Sequence, residues 1–198
     1  MSEGFPAVKE TMRRRLRGEN SSHSAEEKVF ASSQICSIIR AQPLWQNAKS
    51  LLLYHPLPGE PDILPLLNEA LSAGKSVCLP RSSDGPDPYV LCRIEHSGTQ
   101  LAPGKFGILE PKDDCPSYTG KSLDLLLVPG LGFSLTGQRL GRGKGFYDRL
   151  LRGVQGAKCG VAFDWQILAG IPAETHDMFV EYIVTPAGWR EVSSSPRV

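Results

Sequence analysis

The sequence predicts an α/β protein, a single-domain layered sandwich in which a mostly parallel, mixed sheet is flanked by helices. Short apolar runs alternate with segments of helical spacing along the chain, which favours this class. The strand–helix–strand order over 50–79 implies a parallel pair with a right-handed crossover. The chain has 198 residues, 40% hydrophobic and 22% charged, which suffices for one buried core.

Charge and cysteine content narrow the class of protein. The formal net charge of +1 gives no reason to expect a general affinity for nucleic acid. The five cysteines are scattered without a C-x-x-C pair, which argues against a zinc ribbon and suits a reducing compartment. No apolar run approaches the roughly 20 residues that span a bilayer, and no signal-peptide core is seen. We therefore expect a cytoplasmic protein with neither a membrane nor a nucleic-acid partner.

Two helices are predicted near the start of the chain. Residues 8–16 can form a short basic helix with Lys9 and Arg13 on one face, and on sequence alone this is a solvated arm. Residues 18–23 should form a break between this helix and the next. A capping box then opens a second helix over 24–40. Its candidate inward positions are Val29, Phe30, Ser33, Ile35, Cys36 and Ile39.

The strand–helix–strand unit consists of strand 50–54, helix 63–73 and strand 76–79. Asp62 can cap the helix and Gly74 can end it. Further strands are predicted at 89–95, 123–128, 158–163 and 181–184, with a short helix or turn over 165–172.

Ligands of parallel sheets gather at the carboxyl ends of the strands, which draws Glu60, Arg81 and the loop 129–145 together. Residues 101–111 look irregular, with Phe106 flanked by glycines. Such a ring is either a hydrophobic plug or a ligand contact, and the sequence alone favours the plug.

The stretch from 123 to 148 carries the clearest chemical signal. After its buried strand, glycines at 141, 143 and 145 alternate with Arg139, Arg142 and Lys144, and helical spacing runs from 145 to 152. Glycines let backbone N–H groups approach an anion, and a helix start adds partial positive charge. The pattern predicts polyphosphate binding, with a solvated, flexible basic loop as the alternative.

Neither common phosphate motif fits this stretch. The nearest P-loop frame, from Gly132 to Gly137, continues with Gln138 and Arg139 instead of Lys-Ser/Thr. The dinucleotide pattern Gly-x-Gly-x-x-Gly also lacks its third glycine, whichever glycine it starts from.

Taken together, the segments resemble the 5-formyltetrahydrofolate cyclo-ligase family, also called methenyltetrahydrofolate synthetase. The resemblance depends on 127–133 (LVPGLGF) and 139–148 (RLGRGKGFYD), the second of which is highly specific. Weaker support comes from Lys9-x-x-x-Arg13, 54–60, 80–81, 104–111 and His176-Asp177. The match in order and spacing extends over almost the whole chain.

The resemblance implies a fold of the NagB/RpiA/CoA transferase type and closure of 5-formyltetrahydrofolate to 5,10-methenyltetrahydrofolate. It also implies ATP as co-substrate and Mg²⁺ as cofactor, with ADP and phosphate as products. The formyl oxygen is a poor leaving group, and phosphorylation lets it leave as phosphate. Such transfer depends on positioning and charge neutralisation, which a loop rich in N–H groups and cations supplies.

Carried over by position, the resemblance assigns roles to individual residues. Arg142 and Lys144 would be catalytic, and Asp148 and Asp177 would hold magnesium. ATP would contact Lys9, Arg13, Arg139, Leu140, Gly141, Arg142, Gly143, Lys144, Gly145, Phe146 and Tyr147. The folate would contact His55, Glu60, Phe106, Arg142, Gly143, Lys144, Gly145 and Phe146. In place of Phe146 the family often has tyrosine, so this chain lacks one possible hydrogen bond.

Two other functions are kept as alternatives. The basic residues of 13–17 and 139–144 can belong to a non-catalytic nucleotide or nucleic-acid binder on the same fold. A thiamine-related or other regulatory relative can also have kept the fold and lost the ligase. The absence of an exposed apolar stripe in the sequence predicts a monomer.

Overall fold

A computed structural model describes residues 4–85, 89–174 and 177–192, and of Phe5, Phe106 and Phe146 it describes the backbone alone. Six helices occur in these ranges: α1 (Phe5–Ser22), α2 (Ala25–Arg40), α3 (Pro43–Asn47), α4 (Leu64–Ser72), α5 (Ser97–Gln100) and α6 (Phe146–Arg152). The first six strands are β1 (Ser50–Leu52), β2 (Ser76–Ser82), β3 (Tyr89–Ile94), β4 (Leu101–Pro103), β5 (Leu109–Pro111) and β6 (Ser122–Pro129). The others are β7 (Gly132–Ser134), β8 (Arg139–Leu140), β9 (Gln155–Val161), β10 (Ile167–Leu168), β11 (Tyr182–Thr185) and β12 (Gly188–Glu191).

A seven-stranded sheet in the order β12-β11-β9-β6-β1-β2-β3 forms the centre of the fold. Its five inner strands are parallel, and the edge strands β3 and β12 pair antiparallel with their neighbours. The predicted mostly parallel, mixed sheet flanked by helices is thereby confirmed. In the described part of the chain no helix is both long and apolar enough to cross a membrane.

The inner strands are buried on both faces, as continuous apolar runs require. Alternate residues of β1 point to opposite sides, so Leu51 joins one hydrophobic cluster and Leu52 another. The first cluster includes residues of α2, α3 and α4, and the second includes Leu150 and Leu151 of α6. The five cysteines are all buried and unbridged.

Two small sheets extend this core. The strands β7 and β8 follow β6 in the chain and form a three-stranded sheet with the later strand β10. The strands β4 and β5 form a separate hairpin. Residues 101–111 are thus an ordered hairpin and not an irregular segment. The strand Gly188–Glu191 at the sheet edge was also absent from the prediction.

The helices predicted near 8–16, 24–40, 63–73 and 145–152 are present, but the segment 165–172, predicted as a short helix or turn, contains the end of a 3-10 helix (Asp164–Gln166) followed by strand β10. α1 runs for 18 residues through Gly18, so the predicted interruption at 18–23 is wrong. α2 begins with the predicted capping box. Of its predicted inward positions, Ile35, Cys36 and Ile39 are buried, whereas Val29, Phe30 and Ser33 are exposed.

Candidate active site

A cleft of about 600 Å³ opens at the carboxyl ends of the parallel strands. Tyr54 and His55 after β1, Pro80 in β2 and Pro129 at the end of β6 line its floor. Of the segments expected to meet at this edge, Glu60 and the loop 129–145 both contribute to the lining of the cleft. Arg81 is the exception, because it does not line the cleft and its Nη1 donates to the Lys112 carbonyl oxygen at 2.7 Å.

Helix α1 closes one side of the cleft, so the interpretation of this segment as a solvated arm is wrong. Lys9 is buried, and Arg13 lies on the same face with its side chain 15% exposed. Arg13 Nε donates to the Gly141 carbonyl oxygen at 3.0 Å, which ties the helix to the glycine-rich loop. The side chain of Leu16, one turn further on, packs with Leu131 and Leu140.

Lys9 is held by two acids from the far end of the chain. Its Nζ lies 2.6 Å from Asp177 Oδ2 and 2.8 Å from Glu174 Oε2. Burial opposes the charge on Lys9, but the hydrogen bonds to Asp177 and Glu174 outweigh it and raise the pKa of the amine. Lys9 therefore stays protonated in the cleft.

The glycine-rich loop does not follow β6 directly, because the β7–β8 hairpin intervenes. Gly143 and Gly145 adopt φ values of +105° and +62°, which side chains rarely tolerate. The predicted helix then begins at Phe146, with Gly145 as its cap residue. The loop residues from Gly141 to Gly145 all line the cleft, and anion binding by this loop stays a prediction.

Arg139 is buried beneath the loop and not directed at solvent. Its Nη2 donates to Asp148 Oδ1 at 3.1 Å and its Nη1 to the Pro129 carbonyl oxygen at 3.2 Å. Its guanidinium lies over the ring of Tyr147, 5.5 Å from the centroid. This environment makes Arg139 a support for the loop as well as a source of positive charge.

Glu60 and Arg142, from segments far apart in the chain, meet in an ion pair. Arg142 donates from Nη2 and Nε to Glu60 Oε1 at 3.0 and 3.3 Å. The Leu57 N–H donates to the other oxygen of Glu60 at 3.0 Å. Burial raises the pKa of Glu60 despite the opposing charge of Arg142. Two of the eight residues expected at the folate are thus brought together.

His55 also lines the cleft, as expected from its place after β1. Burial lowers the pKa of its imidazole, so the neutral form is favoured. Its Nδ1 is buried without a hydrogen-bond partner among the described residues. The neighbouring Tyr54 donates its hydroxyl proton to the Pro61 carbonyl oxygen at 2.9 Å and so fixes the loop that carries Glu60.

Some predicted contacts cannot be placed. Phe106 lies in the turn between β4 and β5 and Phe146 at the start of α6, but their side chains are outside the described atoms. His176 also lies outside the described residues. Lys144 is exposed at the cleft, and Leu140 and Tyr147 line it.

Glu174, Tyr89 and Glu110 are among the cleft residues that were not in the predicted set. Glu174 shares Lys9 with Asp177, and its position three residues before Asp177 is the only signal the sequence offers. Tyr89 packs edge-on against Tyr147 with the ring centroids 6.1 Å apart. Glu110 is buried and accepts hydrogen bonds from the Ser82 N–H and hydroxyl, which joins the β4–β5 hairpin to β2.

The two acids expected to hold magnesium are oxygen ligands of the kind that this ion prefers. Asp148 and Asp177 both line the cleft, and the contacts of Asp148 with Arg139 and Met178 use Oδ1 alone. Within the described ranges no group of three or more His, Cys, Asp or Glu is placed to hold a metal. Magnesium commonly binds through one or two carboxylates, water and phosphate oxygens, so a larger protein cage is not required.

Comparison with known proteins identifies the family. A family model for 5-formyltetrahydrofolate cyclo-ligases matches residues 6–186. The cyclo-ligase of Mycolicibacterium smegmatis is 34% identical over 71% of this chain and 75% of the relative. That of Escherichia coli K12 is 32% identical over 82% and 91%. The NMR structure of the Aquifex aeolicus 5,10-methenyltetrahydrofolate synthetase is 33% identical, covers 96% of both chains and superimposes with a TM-score of 0.85. With these matches and this cleft, the chain belongs to the 5-formyltetrahydrofolate cyclo-ligase family.

Proposed function

We propose that this protein is an ATP-dependent ligase that converts 5-formyltetrahydrofolate to 5,10-methenyltetrahydrofolate. The observation that carries the proposal is the meeting of distant charged residues in one cleft. Lys9 and Arg13 of α1, Glu60 after β1 and the loop from Gly141 to Gly145 face the same space. A volume of about 600 Å³ falls within the range of small-molecule sites.

The reaction requires that a poor leaving group be made a good one. The γ-phosphoryl group of ATP is transferred to the formyl oxygen and ADP leaves. N10 then attacks the formyl carbon, the carbon–oxygen bond breaks, phosphate departs and the N10 proton is lost. No protein nucleophile is needed, so positioning and charge neutralisation carry most of the catalysis.

The cations of the cleft are assigned to the nucleotide. Lys9, Arg13 and Lys144 would bind phosphate oxygens, and the backbone of the glycine-rich loop can approach them closely. Arg142 would join them at the transferring phosphoryl group. Magnesium bound by Asp148 and Asp177 would supply positive charge against the phosphates.

Glu60 and the aromatic rings of the cleft are assigned to the folate. Glu60 offers a carboxylate to the amino-pyrimidine edge of the pterin, whose N–H groups are donors. The uncharged imidazole of His55 and the rings of Tyr89 and Tyr147 give this region an aromatic wall.

The alternative of a nucleic-acid binder fits the cleft poorly. Lys9, Arg139 and Arg142 are each neutralised by a carboxylate inside the cleft. They do not form an exposed basic stripe of the kind that tracks a phosphate backbone. The predictions of a monomer and of a cytoplasmic location stay predictions.

The decisive experiment is a direct assay. Purified protein, Mg-ATP and 5-formyltetrahydrofolate should together develop the near-ultraviolet absorbance of the methenyl product, and omission of ATP should abolish it. Folded protein that gives no absorbance change with both substrates would refute the proposal.

A paired variant tests the loop. Lys144→Ala should lose about 2–4 kcal/mol of transition-state stabilisation if Lys144 contacts the transferring phosphate. Lys121→Ala, an exposed lysine outside the cleft, is the matched control and should leave turnover unchanged. Equal activity of the two variants would remove Lys144 from the proposed catalytic set.

A further inference from the structure

We propose that the Glu60–Arg142 ion pair holds Arg142 away from the nucleotide until folate occupies the cleft, so that Glu60 is a positioning residue for Arg142. This inference rests on the proposed function, because it assigns Glu60 to the folate and Arg142 to the phosphate. It adds a link between the two substrates, because folate bound in one half of the cleft would release Arg142 for the nucleotide in the other half.

Glu60 is the fixed member of the pair. Its side chain is 7% exposed, and the Leu57 N–H anchors Oε2. The loop around it is tied to α1, because Asn20 Nδ2 donates to the Gly59 carbonyl oxygen at 3.1 Å. A Cβ at Gly59, whose φ is +89°, would lie 2.3 Å from Asn20 Nδ2, so loop and helix are in close contact. Glu60 therefore has little freedom to follow Arg142.

Arg142 is the member with freedom to move. Its side chain is 44% exposed, and it lies between Gly141 and Gly143. Both of its contacts to the acid use a single oxygen, Oε1. Arg142 also borders a second cavity of about 250 Å³ between α1 and the 57–60 loop, which leaves space beside the pair.

Because Glu60 is buried, the release of Arg142 depends on another group that can take its place beside the carboxylate. If Arg142 moves away, a buried carboxylate loses its counter-charge, which is strongly unfavourable. The N–H groups of a bound pterin edge would replace part of that interaction. Withdrawal of Arg142 is then offset only when folate is present, and by linkage folate and nucleotide should each strengthen the binding of the other.

Equilibrium binding of a non-hydrolysable ATP analogue tests this coupling. We expect 5-formyltetrahydrofolate to tighten the binding of Mg-AMPPNP to the wild-type protein on the order of tenfold, as measured by calorimetry. Glu60→Gln should bind the analogue with the tighter affinity even without folate, and added folate should have no effect. Glu69→Gln removes the partner of Arg40 outside the cleft and should behave as the wild type.

The direction of the change in analogue affinity shows whether Glu60 positions Arg142 or only supports the fold. If Glu60 only supports the fold, Glu60→Gln should bind the analogue equally or more weakly, and this result would overturn the inference. Arg142→Met tests the same link from the other partner and should bind the analogue weakly with or without folate. A folate effect that persists in Arg142→Met would also overturn it.

The absorbance assay keeps the two proposals apart. Wild-type protein that forms the methenyl product but binds the analogue equally with and without folate would retain the proposed function and lose the coupling. Wild-type protein that forms no product would refute the function itself.

Discussion

Arg139 and Asp148 form an ion pair beneath the glycine-rich loop, with side chains only 4% and 13% exposed. Arg139 Nε is already buried without a partner among the described residues. Removing the acid would leave a buried guanidinium without its ion-pair partner, with the Pro129 carbonyl oxygen and the Tyr147 ring as its remaining contacts. We expect Asp148→Ala to lower the free energy of unfolding by about 3 kcal/mol, measured by urea denaturation with EDTA present.

The same measurement separates a structural role of Asp148, as the partner of Arg139, from its proposed role in holding magnesium. Asp113→Ala, which removes a fully exposed partner of Arg81 at 3.7 Å, is the control and should leave the free energy of unfolding nearly unchanged. If Asp148→Ala is as stable as the wild type in EDTA, Asp148 is not a structural partner of Arg139. A loss of activity would then support the proposed role of Asp148 in holding magnesium.

Glu60 gives a prediction about pH. Burial raises its pKa above the ordinary value of 4.5, because desolvation outweighs Arg142 and the Leu57 N–H. The folded state therefore holds the proton more tightly than the unfolded state. The resulting stability is fully present below the unfolded pKa and is lost as pH rises through the folded pKa.

Glu60→Gln removes this titration. The free energy of unfolding of the variant minus that of the wild type should therefore increase as pH rises from about 4 to about 7. Urea unfolding of both proteins across that range measures the difference, with Glu69→Gln as the control. A difference that is constant, or that decreases with pH, would show that the pKa of Glu60 is not raised.

Residue types were predicted better than residue partners. The loop pattern pointed to Arg139 and Arg142, the family resemblance added Lys9 and Asp148, and all four line the cleft. The sequence could not show that the charges neutralise one another, because the pair Lys9–Asp177 spans 168 positions. Arg139 and Asp148 are nine positions apart, with a loop between them that has no helical or strand period. Such pairs depend on tertiary structure alone.

At the scale of elements, α1 connects the two cations that we propose for the nucleotide, Lys9 and Arg13, to the rest of the fold. Leu16 is 2% exposed and packs with Leu131, Leu140 and Ile171. Leu16→Ala should cost about 2–5 kcal/mol of stability. Because the same helix carries Lys9 and Arg13, we also expect a higher KM for ATP, measured in the absorbance assay.

Val29→Ala is the matched control for Leu16→Ala. It truncates an aliphatic residue that also lies on a helix but is 68% exposed, so stability and KM should change little. A normal KM for ATP in destabilised Leu16→Ala would show that α1 positions its cations without this packing.

The element predictions failed where packing overrides local preference. Gly18 is a weak helix former, but α1 continues to Ser22, where Asn20 contacts both Gly59 and Trp165. On α2 the apolar pair Val29 and Phe30 suggested the wrong inward face, since the buried positions are set by the sheet beneath. The two-residue strand β8 is too short for any periodic signal. The inner strands were found because their apolar runs are continuous.

At the scale of the whole molecule, the sheet argues for one cooperative unit. β1 lies in the middle of the sheet and contributes Leu51 and Leu53 to one hydrophobic cluster and Leu52 to the other. Neither face can then unfold without exposing the other. We expect a single unfolding transition with the same midpoint by far-ultraviolet circular dichroism and by tryptophan fluorescence.

The three tryptophans make this a demanding test, because they report on separate regions. Trp45 lies in α3, Trp165 contacts α1 and Trp189 lies in the edge strand β12. A fluorescence transition that precedes the loss of secondary structure would indicate separate units and would contradict the predicted single domain.

The burial of every cysteine has a consequence for covalent inhibition. Burial raises the pKa of Cys36 to about 11 and that of Cys78 to about 12, so their reactive thiolates are scarce at neutral pH. Among the described residues that line the cleft there is no cysteine. Electrophilic drugs directed at thiols would therefore find no target in the folded site. The rate at which such reagents modify the cysteines would instead report how often the protein unfolds, locally or globally, and exposes them.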